Sequence, residues 1–172
     1  MYDYVMMLLF DEDSEIRIRK MKDFLKRNKI TSREKPWAPH ITVDLYQGIT
    51  KELLIEKTDH LTETLRMFPV IFETIDNFHQ RVLFLKPEAK AEFWQIKQKA
   101  DELLGKYRVR PDDGESYVPH VTLAINKDIR EATELIQAEF RPFSGEISYL
   151  ALYQRNMELV KLYRLAEDHR NL

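Results

Sequence analysis

The chain has 172 residues, of which 44% are hydrophobic, and it contains no cysteine. This length and hydrophobic content suffice for one domain with its own core, and the absence of thiols excludes a disulfide framework, a thiolate metal site and a cysteine nucleophile. The formal net charge of −2 excludes a protein that holds long nucleic acid through an overall basic field.

The amino-terminal residues are not expected to form a targeting segment. An apolar run covers 5–10, but no basic residues precede it, and Asp11, Glu12 and Asp13 follow at once. No stretch approaches the roughly 20 apolar residues that a membrane-spanning helix needs. Together with the lack of cysteine, this predicts a cytoplasmic protein without membrane contact.

The first half of the chain alternates between strand and helix patterns. An unbroken apolar run is typical of a buried strand, and apolar residues three and four apart are typical of an amphipathic helix. Ser14 and Thr50 are the expected N-caps of the two helices, and a short turn is expected near His79 and Gln80. The predicted elements are a strand over 5–10, a helix over 14–28, a strand over 40–46, a helix over 51–65 and a strand over 70–78.

The second half repeats this order, which indicates an internal duplication. Its predicted elements are a strand over 81–86, a helix over 89–106, a strand over 120–125, a helix over 129–140, and strands over 147–154 and 159–166 that form a hairpin near Asn156. The chain is therefore expected to be one α+β domain of two lobes, about 1–80 and 81–172, related by approximate two-fold symmetry. Whether the lobes exchange strands stays open.

One short motif occurs at matching places in the two halves. Pro-His-Ile-Thr covers 39–42 and Pro-His-Val-Thr covers 119–122, so the histidines are 80 residues apart, and a proline-containing loop leads into each motif. Side chains alternate between the faces of a strand, so the histidine and threonine of each motif are expected to share one face. The candidate catalytic residues are His40, Thr42, His120 and Thr122.

These paired motifs resemble the two-histidine phosphoesterase superfamily, which includes bacterial RNA 2′,3′-cyclic phosphodiesterases, historically called 2′-5′ RNA ligases. The resemblance implies a bilobal, pseudo-two-fold α+β fold built from duplicated β-α-β-α-β units, with mainly antiparallel sheets lining a central cleft. It also implies chemistry on a phosphodiester without metal or cofactor. In this chain His40 and His120 match the catalytic histidines, and Thr42 and Thr122 match the phosphate-holding hydroxyls.

Elementary chemistry agrees with these roles. Opening a cyclic phosphate needs a base that takes a proton from water and an acid that protonates the departing ribose oxygen, and histidine can do either near neutral pH. Threonine hydroxyls can donate hydrogen bonds to the non-bridging oxygens as charge builds there. The sequence leaves open which histidine is the base and which is the acid.

Four further residues are candidates for substrate binding. Trp37 and Tyr117 each lie three residues before a motif histidine, where an aromatic ring can stack on a base; the alternative is that each packs at the mouth of its loop. Lys35 and Arg110 precede the two motifs and are candidate phosphate contacts; the alternative is that they form a solvated loop face.

Asp44 raises an alternative. It lies four residues after His40 and is expected to share its face, so with His40 and His120 it would form a two-histidine, one-carboxylate metal site. The matching position in the second half is Ala124, so the carboxylate is not part of the repeat. A second alternative is a non-catalytic module that binds an RNA end or a nucleotide.

The leading prediction is thus a monomeric, metal-independent phosphoesterase. Its expected partner is a small nucleotide or RNA-end phosphodiester, such as a 2′,3′-cyclic phosphate.

Overall fold

The structure, a computed structural model, describes residues 1–110 and 116–168. Within them the fold is α+β, as predicted, with four α-helices and seven strands. In chain order these are β1 (Tyr4–Phe10), α1 (Glu12–Arg27), β2 (Ile41–Tyr46), α2 (Lys51–Thr62), β3 (Phe68–Phe78), β4 (Val82–Pro87), α3 (Ala91–Leu104), β5 (Val121–Ile125), α4 (Arg130–Glu139), β6 (Phe143–Gln154) and β7 (Leu159–Arg164).

The strands form one open sheet whose order is symmetric in the two halves of the chain. The order is β2-β1-β6-β3-β4-β5, with β7 beside β6, and neighbouring strands are antiparallel. Strands β2 and β1 of the first half are completed by β6 of the second half, while β5 and β4 are completed by β3 of the first half. Each half therefore depends on a strand from the other.

The two motif strands lie at opposite ends of this order and yet meet in space. Cα atoms of β2 and β5 approach each other to within 8 Å, although no hydrogen-bonded ladder joins the two strands among the described residues. The sheet is therefore curved enough to bring its two ends side by side. This curvature places the two histidine motifs next to each other.

The helices bury one face of this sheet. Helix α1 packs against α4 and α2 packs against α3, so each pair combines one helix from each half. In β1, Met6 and Leu8 belong to the main core, whereas Val5 and Met7 belong to a smaller cluster with Ala151. Since neighbouring residues of a strand point to opposite faces, the smaller cluster marks the face away from the main core.

Of three local predictions, the Thr50 cap and the turn near His79 and Gln80 were right, and the Ser14 cap was wrong. Thr50 caps α2 as expected, but α1 begins after Asp11, whose carboxylate accepts hydrogen bonds from the backbone N–H and the hydroxyl of Ser14 at 3.2 and 2.6 Å. Ser14 therefore lies inside the first turn, where its hydroxyl serves the cap. The turn between β3 and β4 falls at His79 and Gln80, whose φ values of 51° and 57° suit a tight hairpin.

No helix in the described ranges is long and apolar enough to cross a membrane.

Candidate active site

A β-bulge at Val43 determines which way the first motif strand presents its side chains. Strand β1 pairs Met7 with Thr42 but Met6 with Asp44, so Val43 has no partner in the ladder. Directly opposed residues of an antiparallel pair share a face. Thr42 consequently lies on the face of Met7, in the smaller cluster, and Asp44 lies on the face of Met6, in the main core.

The second motif strand carries the same bulge at the matching residue. Strand β4 pairs Phe84 with Thr122 but Leu83 with Ala124, which leaves Leu123 without a partner. Leu83 and Ala124 belong to the main core, whereas Phe84 is buried against His120 on the other face. Both halves thus present a threonine on one face and turn the residue two positions later to the opposite face.

The expectation that Asp44 shares the face of His40 is therefore wrong, because the bulge reverses the alternation after Thr42. The Asp44 carboxylate lies 2.5 Å from Lys97 Nζ and 2.6 Å from Arg108 Nε, and Lys97 also contacts Asp101 at 2.6 Å. Within the described ranges no three histidine or carboxylate side chains are grouped to hold a metal. The proposed metal site of His40, His120 and Asp44 therefore lacks its carboxylate ligand.

The two histidines are held by the same local contact. His40 Nδ1 lies 2.8 Å from the carbonyl oxygen of Ala38, and His120 Nδ1 lies 2.8 Å from that of Val118. A carbonyl only accepts, so Nδ1 carries the proton that it donates. In the neutral ring this leaves a lone pair on Nε2, the atom through which the ring can accept a proton.

Burial makes both imidazoles reluctant to take a charge. The pKa of His40 is lowered from 6.5 to about 4, chiefly by burial; the hydrogen bond to Ala38 raises it, and the charges on Lys22 and His120 lower it. Burial also lowers the pKa of His120, partly offset by its hydrogen bond to Val118. The charge on His120 thus acts on His40, in agreement with the close approach of β2 and β5.

Different aromatic side chains surround the two histidines. The rings of Phe78 and Phe84 lie 5.0 and 5.2 Å from that of His120, whereas Trp37 lies 6.2 Å from His40 and 5.2 Å from Tyr153. Neither phenylalanine was among the residues predicted from the sequence. The observed register pairs Phe78 with Val82 and therefore puts residues 78 and 84 on one face of the hairpin. A two-residue turn at 79–80 would pair 78 with 81 and put 84 on the opposite face, so the predicted turn did not carry this signal.

Tyr117 connects the second motif's loop to the first motif's strand. Its hydroxyl donates to the carbonyl oxygen of Thr42 at 2.8 Å, and its ring lies 6.5 Å from that of Trp94. Burial and the nearby Asp44 carboxylate raise the pKa of Tyr117, so the hydroxyl keeps the proton that it donates. The structure therefore places Tyr117 between the two motifs.

Each loop that leads into one motif also hydrogen-bonds to the strand of the other. The backbone N–H of Arg33 donates to Ile125 at 2.8 Å, and that of Val109 donates to Leu45 at 3.0 Å. Ile125 and Leu45 occupy matching positions, five residues after their respective histidines. The two-fold relation thus extends to the loops that border the site.

The two basic candidates lie within the segments that lead into the motifs. Lys35 Nζ donates to the carbonyl oxygen of Arg155 at 3.0 Å and lies 5.6 Å from the ring centroid of Tyr2. Arg110 is exposed and is the last residue described before the gap at 111–115. Of the four predicted binding residues, Trp37 lies beside His40, Tyr117 bridges the motifs, Lys35 contacts Arg155 and Tyr2, and Arg110 is exposed.

Comparison with protein families gives one match. The model of the 2′-5′ RNA ligase superfamily matches residues 10–158. No curated protein matches the sequence.

Solved structures share the fold over nearly the whole chain. E. coli LigT complexed with 3′-AMP has a TM-score of 0.70 at 12% identity, covering 96% of this chain and 99% of LigT. TT0787 of Thermus thermophilus has a TM-score of 0.70 at 16% identity, covering 97% and 100%. A structure described as a phosphoesterase has a TM-score of 0.63 at 12% identity, covering 97% and 100%. At these identities the similarity establishes the fold.

Proposed function

Because the chain belongs to the 2′-5′ RNA ligase superfamily, we propose that it is a metal-independent phosphoesterase that opens 2′,3′-cyclic phosphates of nucleotides or RNA ends. One observation carries this proposal. Two histidines of one site are held by identical Nδ1 contacts, which leaves Nε2 of each free for proton transfer.

The groups that lower the pKa differ between the two histidines, and this difference supports His40 as the base and His120 as the acid. A base must be uncharged when substrate binds, and His40, with a pKa of about 4, meets this condition most fully. Its charged form is disfavoured by burial and by Lys22, whereas Lys22 is not among the groups that lower the pKa of His120. The anionic phosphate of a bound substrate raises the pKa of a neighbouring imidazole, so His120 takes up a proton and acts as the acid.

The proposed reaction uses two proton transfers, one from water to His40 and one from His120 to a ribose oxygen. His40 Nε2 accepts a proton from water as the water oxygen bonds to phosphorus, and the bond from phosphorus to one ribose oxygen breaks. His120 donates its Nε2 proton to that oxygen, and the two rings return to their starting states by exchange with solvent. Thr42 and Thr122 donate hydrogen bonds to the non-bridging oxygens, where negative charge builds.

The remaining candidates extend the site toward the nucleotide. We assign base stacking to Trp37, which lies against His40, and a second stacking surface to Tyr117, whose hydroxyl is occupied by Thr42 while its ring borders Trp94. Lys35 and Arg110 then attract phosphate at the rim. LigT has been solved with 3′-AMP, with ATP and with NADP+, which supports a nucleotide-sized ligand for a chain of the same fold.

One chain supplies both histidines, which supports a monomer as the active unit, and the cysteine-free composition supports a cytoplasmic site of action.

The experiment that tests this function is a substrate screen. 2′,3′-Cyclic nucleotides, linear 2′-5′ oligonucleotides and RNA with a cyclic-phosphate end are incubated with the wild-type protein, and the products identify both the bond that is broken and the direction of ring opening. His40→Ala and His120→Ala should each lower turnover by roughly 10²- to 10⁴-fold. His60→Ala is the matched control, because that imidazole is exposed on α2.

Two outcomes would contradict the proposal. Unchanged turnover in both histidine variants would remove the acid–base pair from the reaction. Tight binding of a cyclic phosphate that remains intact after long incubation would instead identify a non-catalytic binding module.

A further inference from the structure

Asp44 is the one charged residue in the two motif strands. The sequence of β2 is Ile-Thr-Val-Asp-Leu-Tyr, and that of β5 is Val-Thr-Leu-Ala-Ile. The bulge turns Asp44 away from the face of Thr42, so its carboxylate takes no part in the proposed proton transfers. Its side chain is only 11% exposed. A carboxylate removed from water is costly unless it is paired, so its partners show what it serves.

Both partners of Asp44 come from the second half of the chain. Its carboxylate contacts Nζ of Lys97 on α3, and it contacts Nε of Arg108 in the segment 105–110, which leads toward the second motif. Asp101, one turn after Lys97 on α3, lies 2.6 Å from Lys97 and 3.6 Å from Arg108. We call these four side chains the charged cluster. Since those of Asp44, Lys97 and Arg108 are at most 18% exposed, solvent screens their attraction only weakly.

The charged cluster lies where backbone hydrogen bonds join the same two segments. The N–H of Val109 donates to the carbonyl oxygen of Leu45 at 3.0 Å. The N–H of Gln47 donates to the carbonyl oxygen of Tyr107 at 2.9 Å. Residues 107–109 thus cover the edge of β2 that does not pair with β1. The charged cluster adds a side-chain contact to this short backbone ladder.

The corresponding contact in the other half has no charge on its motif strand. The N–H of Arg33 donates to the carbonyl oxygen of Ile125, and the segment that contains Arg33 is tied to α1 by the ion pair of Lys22 and Glu34 at 3.0 Å. Strand β5 has no charged residue that could join this pair. Among the described residues, a motif strand is thus bonded through charged side chains to the other half at β2 alone.

We propose that Asp44 is a positioning residue, which fixes the segment leading into the second motif against the strand of the first and so sets the distance between His40 and His120. The inference rests on the proposed function. An acid and a base on opposite sides of one phosphorus act together only when their spacing is held closely, since a displacement of about 1 Å can cost roughly 100-fold in rate. Tyr117 follows later in the same connection, and its hydrogen bond to Thr42 extends the contact to the motif itself.

The first arm of the test measures this contact without turnover. Asp44→Asn removes the charge and keeps the size of the side chain. Hydrogen exchange of the Val109 and Gln47 backbone N–H groups should accelerate by about 10- to 100-fold, the range expected when a hydrogen bond to a charged group is lost. The Arg33 N–H is the internal control, because it forms the matching bond in the other half, and its exchange should change less.

The second arm measures turnover of a 2′,3′-cyclic mononucleotide. Asp44→Asn should lower kcat by roughly 10- to 100-fold and leave KM nearly unchanged, because every group that contacts the substrate is retained. Arg108→Gln should lower kcat similarly, and the double variant should lower it no further than either single variant. Asp59→Asn is the matched control, since it removes the same charge from an ion pair between α2 and β7, and it should keep the wild-type kcat.

Arg108→Gln also protects the test against a variant that does not fold. The Arg108 side chain is more exposed than that of Asp44, at 18% against 11%. If circular dichroism shows that Asp44→Asn is unfolded at the assay temperature, Arg108→Gln carries both arms with the same expected results.

Three results would overturn the positioning role. They are unchanged exchange at Val109 and Gln47, acceleration that is equally large at Arg33, which indicates a general loss of stability, or faster exchange at the first two amides with the wild-type kcat. If the wild-type protein does not turn over the cyclic nucleotide, the proposed function fails, and the exchange arm alone decides whether Asp44 holds the segment. Normal turnover with unchanged exchange gives the reverse, in which the function stands and the positioning role fails.

Discussion

The buried imidazole of His40 should make the folded protein less stable in acid. Its pKa is lowered from 6.5 to about 4, so between these pH values the unfolded chain binds a proton that the folded chain does not. The free energy of unfolding therefore falls as pH falls through 6.5, and this contribution levels off below about pH 4. His40→Asn abolishes the titration, while its side-chain amide can still donate to the carbonyl of Ala38.

The size of the effect follows from the shift. One pKa unit corresponds to 1.36 kcal/mol, so the full shift is worth about 3.4 kcal/mol. Near pH 4.5 the unfolded imidazole is almost fully protonated and the folded one is protonated about a quarter of the time. The wild-type protein should then have lost about 2.5 kcal/mol through this group.

Urea unfolding of the wild-type protein and His40→Asn at pH 7.0 and about pH 4.5 measures this contribution. Carboxylates titrate in both proteins and cancel in the difference, which should be about 2.4 kcal/mol larger for the wild type. His60→Asn should behave as the wild type, since that side chain is 73% exposed. Equal losses in the wild type and His40→Asn would refute a buried, uncharged His40 and with it the argument that His40 is the base.

Three other predictions follow from the same contacts. Asp44→Ala removes the nearer of the two carboxylates that Lys97 and Arg108 share and leaves Asp101, and should lower the free energy of unfolding by about 2 kcal/mol; a denaturant midpoint close to that of the wild type would contradict this. Tyr117→Phe removes the hydrogen bond to Thr42, which should cost about 1 kcal/mol and lower kcat more than it changes KM, and an unchanged kcat would show that the bond does not position the motif. Turnover should survive a strong chelator, because Asp44 lies on the opposite face from Thr42; activity that is lost and then restored by a divalent metal would overturn that expectation.

The arrangement of elements could be read from the sequence because it depends on local patterns. Apolar runs and helical spacing placed every helix and strand in the right order, and α2 began at Lys51 behind its predicted cap. The predicted ends of the elements were less accurate: α2 ends at Thr62, three residues before its predicted end at 65. Helix ends depend on tertiary packing as well as on propensity.

The site was only partly predictable, and Asp44 shows why. Alternation along a strand is valid only while the ladder is regular, and neither Val43 nor Leu123 carries a signal for a bulge. The hydrogen bond from Tyr117 to Thr42 joins residues 75 positions apart. Such a contact depends on the curvature that brings both ends of the sheet together, which no local pattern encodes.

The exchange of β3 and β6 between the two halves has a consequence for how the molecule can come apart. Cutting the chain at the turn formed by His79 and Gln80 would yield two fragments, each with its own histidine and each missing the strand that completes its sheet. Neither fragment could bury its apolar face alone, so the pair would have to assemble as a heterodimer to recover the fold. The candidate site is consequently assembled only when both halves are together, because the strand that follows each motif histidine lies in a sheet that the other half completes.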